Sequence, residues 1–453
     1  MATAIELHDP AALDENAALI ANHYEAAGDL SAAYIWHMRA GGWSSFRDLA
    51  AATTSWERAR QVADQLPIED PKRLAMRIAP RTLLCGNAWR TVGTVADIGF
   101  DELRALTDAA GDKVSLAIGM TGWMTALNYN DRITEAARLA DEFVALIESI
   151  GDPALTVGLL PGALLAKFQP GETVASVLLA ERLIDLANGD ATMGNLLIGS
   201  PLTLGLVFRG LARMFQGDRG FEGDLQTALE IGRPVDTTCF ATVVMFRTCS
   251  MTVGALEADD AAMHDAEEAL RMAESGDNFT LACALSAHGA LLIRRRGADA
   301  DLGCESLLRV REMGLTHLWS MTGVRIADIH LAMHKLNTGD LDGTVELIGT
   351  AVDSALRAGD MFWLGHATAI LVEALVRRGT DSDLRAAQSA IDRLEAVPVD
   401  PAFVMNEIQL LRMRALLARA RGDEAGYGSS VARYRTRAAE CGYTGHVAIA
   451  EAM

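Results

Sequence analysis

Along this chain an aspartate, often preceded by glycine, recurs at Asp29, Asp70, Asp112, Asp152, Asp190, Asp236, Asp277, Asp360 and Asp400. Successive spacings up to Asp277 are 41, 42, 40, 38, 46 and 41 residues; a gap of 83 follows, which Gly314 divides if it marks a start, and the last spacing is 40. Glycine supplies the left-handed conformation that ends a helix, and aspartate caps the first turn of the next. The recurrence therefore predicts a helical hairpin every ~41 residues. A single hairpin cannot bury its apolar face alone, so such units must stack.

Within one unit, Asp112 opens KVSLAIGMTGWMTALNYN, a turn follows at Asn130-Asp131, and RITEAARLADEFVALIESIG places Ile133, Ala136, Ala137, Ala140 and Phe143 at helical spacing. The pattern returns as MFWLGHATAILVEALVRRG with LRAAQSAIDRLEAV, and as FVMNEIQLLRMRALLARARG with SSVARYRTRAAECG. About ten such pairs are expected over residues 29–453, with residues 1–28 as a lead-in helix. The expected fold is all-α, a right-handed α-α superhelix of tetratricopeptide-like type. Its units are longer than the ~34 residues usual for that class.

Composition bounds the function. At 453 residues the chain exceeds an ordinary single core, and an apolar fraction of 50% with only 6% aromatics suits packed helices. A formal charge of −20 repels phosphates, so neither nucleic acid nor an anionic membrane is expected as a partner. The apolar runs, such as residues 153–166, are interrupted by Gly and Pro and fall short of the ~20 residues of a membrane span. Six cysteines are scattered without a C-x-x-C pair, which fits reduced thiols in a cytoplasmic protein.

No catalytic, cofactor or metal residue is assigned. The sequence has no G-x-x-x-x-G-K-[ST], no G-x-S-x-G and no H-E-x-x-H. His330 and His334 share a helical face but lack a third ligand. The stretch NTGDLDGTVEL, Asn337 to Leu347, superficially resembles a calcium loop, yet it places Thr338 at the first ligand position and reads better as a helix-capping turn. The arginine runs before Gly297 and Gly379 complement the C-terminal dipoles of their helices. Arg412, Arg414, Arg419, Arg421, Arg433, Arg435 and Arg437 make the last hairpin locally basic: a docking patch for an acidic partner, or a solvated cap.

One constellation emerges on alignment by repeat. Arg247, His288 and Arg325 each fall eleven residues after Asp236, Asp277 and Gly314. Stacking of the first helices would set them in one row on a concave groove, where forked arginine donors suit a carboxylate or phosphate. Trp123, Trp319 and Trp363 lie in the same class of helix and would add aromatic walls. The alternative is arginine bridging to a neighbouring helix, with tryptophan in the hairpin core.

The stretch from Leu19 to Pro67, LIANHYEAAGDLSAAYIWHMRAGGWSSFRDLAAATTSWERARQVADQLP, resembles the helical-repeat arm of actinobacterial signalling proteins. In these a class III adenylate or guanylate cyclase domain precedes an AAA/STAND-type ATPase and a tetratricopeptide-like arm. RLAMRIAPRTLLCGNAW, TDAAGDKVSLAIGMTGWM and EALRMAESGDNFTLACALSAHGALLIRR are similar to the same arm, so the likeness spans nearly the whole chain. Neither the cyclase acids nor the ATPase P-loop is present here, so the resemblance implies architecture and a regulatory role only. It implies a cytoplasmic sensor arm that binds a protein, peptide or small anionic effector and modulates a cyclase or ATPase module. Alternatives are a split or truncated member of the cyclase/ATPase group, and the sensor arm of a transcriptional regulator.

Overall fold

The computed structural model describes residues 2, 5, 12–45, 47–91, 98–274, 276–295, 297–316 and 320–453. Among these residues there are 22 helices and no strand. They are α1 (Ala17–Ala26), α2 (Leu30–Ser44), α3 (Leu49–Gln65), α4 (Arg73–Gly86), α5 (Phe100–Ala110), α6 (Lys113–Tyr129), α7 (Ile133–Ile150), α8 (Pro153–Phe168), α9 (Thr173–Ala187), α10 (Pro201–Gln216) and α11 (Phe221–Gly232). The remainder are α12 (Thr237–Thr252), α13 (Asp260–Ala273), α14 (Asn278–Leu292), α15 (Ala298–Leu315), α16 (Met321–Thr338), α17 (Leu341–Ala358), α18 (Met361–Arg378), α19 (Asp381–Glu395), α20 (Val404–Ala420), α21 (Glu424–Cys441) and α22 (Thr444–Ala452). Consecutive helices pack in pairs, so the chain is an α-α solenoid-like array.

Aspartate does set many of the helix starts. Asp29, Asp112, Asp236 and Asp277 accept hydrogen bonds from the amides of Ala32, Ser115, Cys239 and Thr280 at 3.0, 3.0, 2.6 and 2.8 Å. Asp340 does the same for Gly343 at 2.9 Å, so the stretch that resembles a calcium loop is the capped start of α17. Gly314 is not a start. It lies inside α15, and α16 begins at Met321 behind Ser320, whose hydroxyl accepts from the Thr322 amide.

The helices form two compact units, residues 1–126 with 141–152 and residues 127–140 with 153–453. In the first, α1 to α5 pack each on the next. Trp56 is buried there among Leu49, Ala52 and the half-buried Met38, Leu83 and Leu84. Gly41 lies against this indole, where a Cβ would come within 2.2 Å of Nε1, so close approach of α2 and α3 demands glycine. Arg77 and Arg81 of α4 bind Asp64 of α3 and Glu102 of α5 at 2.7 to 2.9 Å, tying three helices together.

In the second unit alternate helices lie on the inside. α10, α12, α14, α16, α18 and α20 each pack on the next, and α20 returns to pack on α10. The inner helices thereby form a closed ring, with α11, α13, α15, α17, α19 and α21 paired onto them from outside. The interior is aromatic: Phe215 lies 5.4 Å from Phe362 and 4.8 Å from Phe403, and Phe168 lies 5.3 Å from Phe362, centroid to centroid. An inner helix is covered on both sides, which is why residues Met361 to Leu375 of α18 are buried almost without interruption.

The seam between the last hairpin and α10–α12 is bonded through the backbone. The His446 amide donates to the Gly254 carbonyl at 2.9 Å and the Glu257 amide to the Thr444 hydroxyl at 3.1 Å. Arg219 donates to the Glu440 carbonyl, and the Tyr443 hydroxyl to the Met214 carbonyl. A Cβ at Gly445 would come within 2.8 Å of the Gly254 oxygen, so this contact too is fitted to glycine. Elsewhere in the ring, Arg294 and Arg377 donate to the Met251 and Leu336 carbonyls, each near the C-terminus of the preceding inner helix, at 2.8 Å. These arginines thus satisfy orphan carbonyls of a neighbouring helix, in addition to complementing their own.

Candidate functional site

The residues proposed as a row do not share one register. Arg247 lies eleven residues beyond its N-cap Asp236, and His288 eleven beyond Asp277. Because α16 is capped at Ser320, Arg325 lies only five residues in, about a turn and a half nearer its helix N-terminus. Placing a start at Gly314 produced the apparent alignment.

Arg247, on α12, donates to Asp265 of α13 at 3.0 Å, and Arg233 binds Asp265 and Glu268 from the other side. His288, on α14, is half-buried; burial lowers its pKa, opposed by Glu267 of α13, and its Nδ1 is buried without a partner among the described residues. Both side chains therefore stand beside the acidic α13, and the charge on Arg247 is already neutralised.

Arg325 is 2% exposed. Its Nε donates to Asp360 at 2.8 Å, and its two terminal nitrogens reach Asp131 at 2.8 and 3.0 Å and Ser354 at 3.1 Å. Asp360, with no exposure at all, also accepts from Gln169, whose side chain bonds Thr322 as well. Burial pulls the Arg325 guanidinium pKa down, but the two carboxylates outweigh it and hold the net shift upward, so the group stays charged. Burial pushes the Asp360 carboxyl up and Arg325 draws it back. Arg325 is thus the centre of a buried polar network, with all three nitrogens engaged.

The tryptophans part similarly. Trp363 is fully buried, edge-on to Phe362 at 4.6 Å, and is a core residue. Trp123 is half-buried and stacks on Phe100 at 4.4 Å. Trp319 lies outside the described residues.

Sequence reading weighed His330 only as a metal ligand and did not single out His366 or His446, which lie with it inside the second unit. His330, His366 and His446, on α16, α18 and α22, are all buried. The ring of His330 meets the Thr252 hydroxyl at 3.0 Å and the Ile326 carbonyl at 2.7 Å, and Nδ1 of His446 meets the Tyr434 hydroxyl at 2.7 Å. Neither nitrogen of His366 has a partner among the described residues; it faces a cavity of about 10 Å³ lined also by Phe215, Phe362, Phe403 and Gln409, too small for an organic ligand. Burial lowers the His330 pKa to about 4 and that of His446 to about 3, and carries His366 well below its usual value. The available signal was a histidine within a helix apolar on every side, as in MFWLGHATAILVEAL.

Three arginines of the basic last hairpin are paired: Arg412 and Arg414 meet Glu373 of α18 and Glu395 of α19 at 2.6 Å, and Arg437 meets Glu407 of α20 at 3.0 Å. Arg433 and Arg437 line an open groove of about 330 Å³ with Glu407 and Glu440, a surface of mixed charge. Burial raises the thiol of Cys85 to about 12 and that of Cys283 well above its usual value, which disfavours the nucleophilic thiolate. No described helix is long and apolar enough to cross a membrane.

No family model and no curated protein is matched by this chain.

Proposed function

We propose that this chain is a non-catalytic, tetratricopeptide-like interaction or sensor arm of a bacterial signalling regulator, acting in the cytoplasm. On this reading it takes a protein, peptide or small effector on the inner, concave face of its stacked helices and thereby modulates a nucleotide-dependent cyclase or ATPase module. The observation that carries the reading is the inner face itself. In the second unit it is closed into a ring by the chain's own last hairpin, through contacts between residues about 200 apart, such as Arg219 with Glu440. An effector that binds only the uncovered face shifts the chain toward an open form by its differential affinity for the two states. For a small anionic effector, Arg247 would have to exchange Asp265 for the ligand.

The test is twofold. The purified chain is assayed for ATP hydrolysis and for nucleotide cyclisation, and is titrated against isolated cyclase and ATPase modules from its own genome. The expected result is no turnover above background and saturable binding to one module, weakened in an Arg247→Ala/His288→Ala variant. Turnover that follows the chain through repurification would overturn this reading, as would binding to neither module.

A further inference from the structure

We propose that the last hairpin of the second unit is an acid-released clasp, in which neutral His446, backed by His366 and His330, holds α20–α22 against α10–α12 and, once protonated, lets them part. The proposal is independent of what the arm binds.

Three observations place the histidines at the closure. His446 is joined to the far side of the seam through its own amide, bonded to Gly254, and the Gly254 backbone lies so close that a Cβ there would come within 3.0 Å of the imidazole Nε2. His330 spans the interior to Thr252 at the end of α12. His366 faces the cavity between Phe215 of α10 and Phe403, just before α20. The charged and titratable groups that act on them are Arg294 beyond α14, Arg412 on α20 and Tyr434 on α21. Only Arg412 has a carboxylate partner among the described ion pairs, Glu373 of α18 at 2.6 Å. Protonation would therefore set new positive charge beside Arg294 and the Arg412–Glu373 pair in a poorly polarisable interior, at high cost while the ring is closed. Parting the seam returns the imidazoles to water.

The sign follows from linkage. The closed form holds the three histidines neutral below their ordinary pKa, and the open form releases them to titrate near ~6.5. Closure is fully favoured above that pH and is lost as pH falls through the interval down to the closed-form values of about 4 and 3. Each freed histidine raises the opening constant about tenfold between pH ~7.5 and ~5.5, so three raise it roughly a thousandfold.

The experiment is hydrogen exchange on the full chain at these two pH values, corrected for intrinsic exchange. It is read at the His446 and Glu257 amides, which bond across the seam to the Gly254 carbonyl and the Thr444 hydroxyl at 2.9 and 3.1 Å, with the middle of α14 as reference. Expected is a loss of protection of up to about a thousandfold at the two reporters and a much smaller change in α14. His366→Leu, which removes nitrogens without a partner among the described residues, is expected to cut the pH effect about tenfold. Equal protection at both pH values overturns the proposal, as does the same loss in wild type and His366→Leu. Should the variant not fold, ring-carbon NMR of histidine-labelled wild type decides: all three imidazoles of the closed form must remain neutral at pH ~5.5, and titration of any of them near ~6.5 without opening overturns it.

Discussion

Arg325 is the residue whose role changes most between sequence and structure. A lone arginine in an inner helix is ambiguous in sequence, because ligand binding and ion pairing demand the same donors. What decides is the partner, and Asp131 and Asp360 are 194 and 35 residues away. Replacing Arg325 with Met leaves Asp360 fully buried with no counter-charge, and breaking such a pair costs about 3–5 kcal/mol. Amides of α16 and α18 are expected to exchange faster in this variant, by a factor that reports the loss. Exchange unchanged from wild type would show that the network contributes nothing. Arg247→Ala, at a half-buried ion pair, is expected to cost only about 1 kcal/mol.

At the scale of elements, the hairpin period was legible because capping is local: Asp29, Asp112, Asp236 and Asp277 act within three residues of themselves. The misplaced start at Gly314 shows the limit of that signal. A glycine serves equally for close packing, and here a Cβ would come within 2.5 Å of the Val324 side chain, so Gly314 is a contact between α15 and α16 and not a boundary. The same distinction makes a paired prediction. Gly445→Ala forces a Cβ onto the Gly254 carbonyl and is expected to destabilise the docking of α22 by about 1–3 kcal/mol. Gly428→Ala, within α21 with nothing near its Cβ position, is expected to stabilise by about 0.5–1 kcal/mol through helix propensity. Exchange of the His446 amide distinguishes the first, and thermal melting of the full chain the second. A Gly445→Ala variant as well protected as wild type would contradict the close approach.

Over the whole molecule, closure of the second unit was the feature that sequence could not supply. It joins residues such as Met214 and Tyr443, 229 positions apart, and its aromatic interior reads in sequence as ordinary hairpin core. The clue lay in helices apolar on every face, which mark burial from both sides and hence an inside that is filled. Closure also gives a pH prediction for the chain as a whole. With buried histidines held neutral, the apparent melting temperature is expected to be flat above pH ~6.5 and to fall steadily below it. A profile flat down to pH ~5 would mean that the histidines take up protons in the folded form as readily as in the melted one, contrary to their burial.

The central claim, that the inner helices of the second unit form a closed ring, is tested most directly by pulsed electron–electron resonance between spin labels at Glu222 on α11 and Glu440 on α21, both exposed, in a background where the half-buried Cys304 is replaced by Ser. Closure through the Arg219 to Glu440 contact predicts a single narrow distribution near ~20 Å, about two interhelical spacings. An open array of stacked hairpins would separate the labels by at least four or five such spacings, so a broad distribution beyond ~40 Å at neutral pH would contradict the account.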